Sequence, residues 1–348
     1  MKMVFKLYTI QLSFIVFILC VFSFKTTASN YYWVGGTGNW SDLNHWATTS
    51  GGPVIYTQIP TAIDDVFFDS NSFSSPGQIV TLDAATVLVR DFIWSGVTNT
   101  PTLSGPSTNL LKVYGSLKFV TGMNMNFLGP INFEATTAGH NILMSNKSFN
   151  ERVIFNGIGG EWTFLDAFKT SSRITLNKGS LITNNQSVSA LQFYSITPGV
   201  RSLNMGASVF NLSGSNICWW VEEIALMTLN SGTSVINIIA NNVSPQFRGG
   251  SMIYYNLNFT GSNSTGMVLD FNNFHDVTFI SAGYIFQSNT FHNVYFYGDG
   301  KMESNNTYNN LTLSKGHSYF LWNGATQTVN GVFSASGDCN ELITINSN

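Results

Sequence analysis

Two histidines occupy the same place in near-identical stretches of this chain. "FNNFHDVTF" runs from Phe271 to Phe279, "SNTFHNVYF" from Ser288 to Phe296 and "NNTYNNLTL" from Asn305 to Leu313, at equal intervals along the chain. His275 and His292 are therefore candidates to share a metal ion. Aligned on the repeats, their column continues with Tyr255, Asn309 and Asn330. It holds no Cys, Asp or Glu to complete a site, so the two imidazoles read as exposed or turn-capping groups.

A second set of donors lies in "DDVFFDSN", where Asp64, Asp65, Asp69 and Asn71 offer hard oxygen ligands suited to calcium. Their spacing departs from an EF-hand loop, and turn bonding is the usual explanation for such residues, with calcium the weaker one. Calcium is the one cofactor the sequence suggests. A third set is aromatic. Trp33, Trp40 and Trp46 fall close together, with Asp42, Asn44 and His45 among them. Such a cluster suits either a platform for sugar rings, with those three polar residues as hydrogen-bonding partners, or a plug for the end of a repeat stack. The plug is the favoured reading, joined by Val66 to Phe68.

Carboxylate pairs for glycoside hydrolysis are scarce. Glu222 and Glu223 are neighbours, and within a strand neighbours face opposite ways, so they are not expected to share a cleft. Asp276 is matched at later repeats by Asn293, Asn310 and Gly331, which leaves no carboxylate column. Arg152, Arg173, Arg201 and Arg248 are scattered along the chain. No nucleophile elbow, phosphate loop, HExxH pair or CxxC is present. "GGTGNW" lacks the following helix that a phosphate loop needs.

The elements that position these residues are short strands. "NLNFTG", "DVTFIS", "NVYFYG", "NLTLSKG" and "GVFSAS" place their first apolar residues at Leu257, Val277, Val294, Leu311 and Val332. Upstream, "GASVFNLSG" and "GTSVINIIA" are near copies of each other. Short strands recurring in this way predict an all-β chain wound as a parallel β-solenoid, with right-handed coils expected from the usual hand of parallel crossovers. A β-sandwich is the rival, but its strands do not copy one another at long fixed offsets. Stacking predicts an amide ladder at Asn272, Asn289 and Asn306, with Gln327 next, and an aromatic ladder at Phe274, Phe291 and Tyr308.

Composition bounds the class of protein, and the N-terminus suggests its address. The chain has 348 residues, of which 9% are charged and 44% hydrophobic. A typical domain carries about 25% charge. A net charge of −3 and the lack of a basic stripe exclude a nucleic-acid partner on electrostatic grounds. Lys2 and Lys6 precede the apolar block Leu12 to Phe24, and small residues follow near Ala28 and Ser29. This is a signal-peptide pattern, too short for the roughly 20 apolar residues that span a bilayer. No membrane span is expected after its removal. Cys20 lacks the small residues that precede a lipid-modified cysteine. Cys218 and Cys339 are separated by about six coils, on the order of 29 Å at about 4.8 Å per coil, so no disulfide is expected between them.

The organisation is then residues 1–29 as signal peptide, 30–75 as a Trp/Gly-rich capping module and 76–348 as solenoid. "YWVGGTGNWSDLNHW" followed by "IPTAIDDVFFDSNSF" resembles the opening module of large, repeat-rich secreted surface proteins of Bacteroidetes bacteria. The resemblance runs over essentially residues 31 to 346. It implies export associated with type IX secretion and a β-helical ectodomain, and it brings no catalytic site with it. The family's C-terminal sorting signal is not evident in "SASGDCNELITINSN", so the chain is expected to be a fragment or to reach its destination differently. The expected function is a non-catalytic secreted or cell-surface scaffold, adhesin-like, with the solenoid as stalk or display surface. A carbohydrate-binding module is the alternative, and a polysaccharide lyase or hydrolase ranks below it. The expected partner is a surface or extracellular polysaccharide, or another cell-surface molecule.

Overall fold

The structure, a computed structural model, describes residues 27–347. The signal-peptide block and Cys20 lie outside these residues. Apart from two short 3-10 turns, Leu43–His45 and Ile224–Leu226, the described elements are strands. They fall into an extended set of 21 strands, a four-stranded sheet near the N-terminal end and a ten-stranded sheet over the C-terminal half. Among the described residues all pairings between these strands are parallel except one, between Asn30–Trp33 and Trp46–Ala47. The result is a parallel β-solenoid of about 13 turns, as the repeats predict.

Register follows the sequence copies. Val209 pairs with Val235 and Phe210 with Ile236, so the two near copies lie on adjacent coils. Leu257, Val277, Val294 and Leu311 align in turn. The last member is different: Leu311 pairs with Phe333, not Val332. Because side chains alternate faces, this one-residue correction moves Val332 out of the interior column and puts Phe333 in it.

Each coil buries every second side chain of its strands, and the interior is a continuous column of Val, Ile, Leu, Phe and Trp. Two aromatic stacks run along it. Phe274, Phe291 and Tyr308 stack at 5.5 and 5.3 Å between ring centroids, and Phe259, Phe279 and Phe296 at 5.1 and 4.7 Å. The second stack needs a column without side chains across from it. Gly266, Gly283 and Gly300 supply that column in register. A Cβ on Gly283 would lie 2.3 Å from the Phe279 ring.

The turns between strands account for part of the Asn content. Asn99, Asn146, Asn184, Asn185, Asn242 and Asn263 all have positive φ, a conformation in which Asn is tolerated far better than β-branched residues. Buried Asn272, Asn289 and Asn306 form the predicted column, but they bond mainly to backbone. Oδ1 of Asn289 accepts from the Asn272 backbone N–H at 2.8 Å, and Oδ1 of Asn306 from that of Asn289 at 2.9 Å. Gln327 joins as predicted, accepting from Asn306 Nδ2 at 3.1 Å.

Candidate functional site

The tryptophan cluster closes the N-terminal end. Trp33, Trp40 and Trp46 are all fully buried, and they meet edge to face, with Trp46 5.0 Å from Trp33 and 4.7 Å from Trp40. Trp33 packs on Phe68 of the next coil and Trp40 on Phe92. The strand Trp46–Ala47 lies antiparallel on Asn30–Trp33, and Val54 bridges antiparallel to Ala47. An antiparallel strand ends the parallel stacking that each coil otherwise offers to the next. The sugar-platform reading of these tryptophans is therefore corrected: no ring face is available to a ligand. The cluster is the cap.

Asp42, Asn44 and His45 serve the same module. Asp42 Oδ1 accepts from the Asn44 backbone N–H at 3.0 Å and from Asn44 Nδ2 at 2.8 Å, forming the turn that "SDLN" suggests. The backbone bond holds the Asp42 carboxyl below the usual carboxylate range. His45 stacks on Trp33 at 4.5 Å, with Nδ1 2.6 Å from the Val34 carbonyl oxygen.

The acidic cluster takes the turn-bonding role and not that of a calcium site. Asp64 is buried and accepts from the Ser29 and Thr61 backbone N–H groups, both at 2.9 Å, and from the Thr61 hydroxyl at 2.6 Å. Asp65 turns away to a bidentate pair with Arg90, whose guanidinium is driven further above its usual range by that bond. Asp69 caps its own turn through the Asn71 backbone N–H at 2.9 Å, and Asn71 Nδ2 donates to Ser50. The four oxygen donors do not converge. They pin the cap to the first coils.

Three acidic residues line one depression at another place. The strand Ile217–Val221 stops before Glu222, and Glu223 has a left-handed backbone, φ 52°. The strand rule does not apply past that end, so Glu222 and Glu223 both border one shallow depression with Asp270. Arg201 holds this corner from inside. It is 2% exposed; its guanidinium donates to Ser195 Oγ at 2.6 Å, to the carbonyls of Ser195 and Gly199, and to those of Glu222 and Glu223.

Arg173 and Arg248 are not scattered in space. Tyr194 and Trp220 are in register on neighbouring coils, and Trp220 is in register with Arg248. Arg173 sits 4.7 Å over the Tyr194 ring, Tyr194 meets Trp220 edge to face at 5.3 Å, and Arg248 lies 5.7 Å from the Trp220 centroid. All four are partly exposed. This outward stripe of cation, two aromatic rings and cation escapes sequence reasoning because the coils there differ in length. Phe193, Trp219 and Phe247 align at unequal steps along the chain.

The histidine column holds the largest departure from expectation. In the strand Asn273–Phe279, Phe274 and Val277 both point inward, and the ladder is broken between them at residue 275. The two residues between must both face out. His275 and Asp276 therefore lie side by side, with His275 Nδ1 3.1 Å from Asp276 Oδ1 and His292 Nδ1 3.9 Å from the same oxygen. The rings of His275 and His292 stack at 4.7 Å and 23°. The missing carboxylate is supplied by the adjacent column, not by the histidines' own. The clue lies in "FHDV", where apolar residues stand three apart instead of two.

Cys218 and Cys339 are both free, the first buried and the second exposed. Burial pushes the Cys218 thiol up to about 12. Among the described residues no helix is long and apolar enough to cross a membrane. Comparison with protein families, with curated proteins and with solved structures finds no match to this chain.

Proposed function

We propose that the protein is a non-catalytic scaffold, exported to the cell surface or beyond, whose solenoid gives reach and a polar display surface. The observation that supports this most is the uninterrupted stacking from a closed aromatic cap through about 13 coils, each filled with its own apolar side chains. At about 4.8 Å per coil the stack is on the order of 60 Å long. Its outer faces carry amide ladders in place of charge: Asn258 Nδ2 donates to Asn237 Oδ1, and Asn237 Nδ2 to Asn211 Oδ1, both at 3.0 Å. Such a surface stays hydrated with little net field, which suits a spacer. The resemblance of the opening module to Bacteroidetes surface proteins points the same way. Protease treatment of intact producing cells tests it: digestion of the chain, or its recovery from the medium, is expected. Full protection inside the cells would overturn the proposal.

A second reading, carbohydrate binding, is favoured by the Arg173, Tyr194, Trp220 and Arg248 stripe and not by the N-terminal tryptophans. Rings flanked by guanidinium groups suit acidic sugars, which offer apolar faces and carboxylates together. Retention of the protein on gels containing uronate polysaccharides, lost in Trp220→Ala with unchanged circular dichroism, would establish it. The catalytic reading is tested at Glu222 and Glu223. Release of reducing ends or unsaturated products from such polysaccharides, abolished in Glu222→Gln or Glu223→Gln, would replace the scaffold proposal with an enzyme.

A further inference from the structure

We propose that His275, His292 and Asp276 form a binding site for a divalent transition metal, with Zn²⁺ and Cu²⁺ as the fitting ions. Their ligand atoms, one from each residue, all lie within 4.8 Å of one another, the one such group of three among the described residues. Two ligands bound tetrahedrally to zinc at about 2.1 Å stand about 3.4 Å apart. The two observed nitrogen-to-carboxylate distances, 3.1 and 3.9 Å, bracket that spacing.

The hydrogen bonding identifies the same point as a focus of acceptors. His275 Nδ1 lies near Asp276 Oδ1 but off the line of a hydrogen bond, and it has no other partner among the described residues. Asn293, one coil on, fills the gap on the other side. Its Nδ2 donates to Asp276 Oδ1 at 2.7 Å and stands 3.0 Å from His292 Nδ1. An amide nitrogen thus bridges a carboxylate and an imidazole, the place a cation would take. Binding requires the imidazoles, now nearly parallel, to turn about their Cβ–Cγ bonds so that both nitrogens face one ion. His292 is 52% exposed and open to such a turn, whereas His275, 39% exposed, must give up its stacking on Tyr255 at 4.4 Å. The backbone on either side is fixed, because Phe274 pairs with Phe291 and Asp276 with Asn293, the ladder skipping only the histidines themselves.

Two nitrogens and one oxygen leave one tetrahedral position open. Nitrogen-rich sites of this kind favour zinc and copper over calcium or magnesium, whose preference is for oxygen. The site stands on an outer corner of the stack, so its open position faces solvent.

The test is calorimetric titration of the chelator-treated protein with ZnCl₂ and, separately, CuCl₂. One equivalent is expected to bind, with affinity falling more than tenfold in His275→Asn and in His292→Asn. Asparagine is chosen because Asn309 already occupies the same column one coil further on, so both variants should fold and melt like the parent. Asn293→Ala removes the competing amide and is expected to leave zinc binding intact or tighten it. With Cu²⁺, electron paramagnetic resonance should show coupling to two imidazole nitrogens. No binding, a single coupled nitrogen, or binding that persists in both histidine variants (at His317 and Asp299, for example) would overturn the proposal.

Discussion

Arg201 illustrates how much a single residue holds in a fold with so few charges. Its five hydrogen bonds go to a hydroxyl and four carbonyls, and no carboxylate among the described residues accepts from it. Burial lowers its pKa, although the neighbouring Glu223 charge acts in the opposite direction. Replacing it with methionine fills similar space but leaves those acceptors without donors. Unsatisfied buried polar groups cost about 1–3 kcal/mol each, discounted here for those that reach water. Arg201→Met is expected to lower stability by about 3 kcal/mol in urea unfolding, and to loosen the Glu222–Glu223 corner. Sequence reading does not find this role, since nothing in "GVRSLNMG" marks its arginine as interior. Cys218 yields a second residue-scale prediction. Its folded thiol is pushed up to about 12 from an ordinary value of 9.0, so the unfolded state loses its proton first as pH rises. The stabilising contribution is complete below about pH 9 and lost progressively up to about pH 12, at about 1.4 kcal/mol per pH unit. Buried Tyr254 and Tyr308 are also raised and add the same trend above about pH 10. Cys218→Ala should therefore remove about 1.4 kcal/mol per pH unit from the decline between about pH 9 and pH 12, leaving only the tyrosine part above about pH 10.

At the scale of the strand, the sequence is legible wherever coils have equal length and opaque where they do not. A constant step makes Val277, Val294 and Leu311 a visible column, together with Asn272, Asn289, Asn306 and their aromatic neighbours. The Tyr194 and Trp220 stripe has no such constant offset. The carboxylate beside the histidines eludes the sequence for a different reason: strict alternation fails at a corner, where two successive residues face out. The buried Asn column permits a contrast between inner and outer amides. Asn289→Ala removes the acceptor for the Asn272 backbone N–H and a donor to the Gln287 carbonyl. A loss of about 1–3 kcal/mol is expected, because the orphaned groups are buried. Asn258→Ala, on the outer face, breaks a bond of similar length between groups that reach water, and should change stability by about 0.5 kcal/mol or less. Equal losses at the two sites in chemical denaturation would mean that the inner ladder has no special role.

The whole molecule is a one-dimensional stack whose two ends differ. At the N-terminal end the antiparallel strand Trp46–Ala47 and three buried tryptophans cover the first coil. At the other end Val332, Phe333, Leu342 and Ile345 are each about half exposed or more. In such a stack each coil is stabilised chiefly by its neighbours, so opening is expected to begin at the less covered end. Hydrogen exchange should be fastest in Thr344–Ser347 and Phe333–Ala335, slower in Thr290–Phe296 and slowest in the middle coils around Val153–Phe164. Trp46→Ala puts the same logic to a harder test. Truncating a buried tryptophan costs about 3–5 kcal/mol. If coupling is between neighbours, that loss should appear locally: exchange should rise in Asn30–Trp33 and Asp65–Phe68, with Thr290–Phe296 unchanged. A uniform rise along the chain would show instead that the coils open as one cooperative unit. The cap would then govern the stability of the entire rod, including the distant corner that carries His275 and His292.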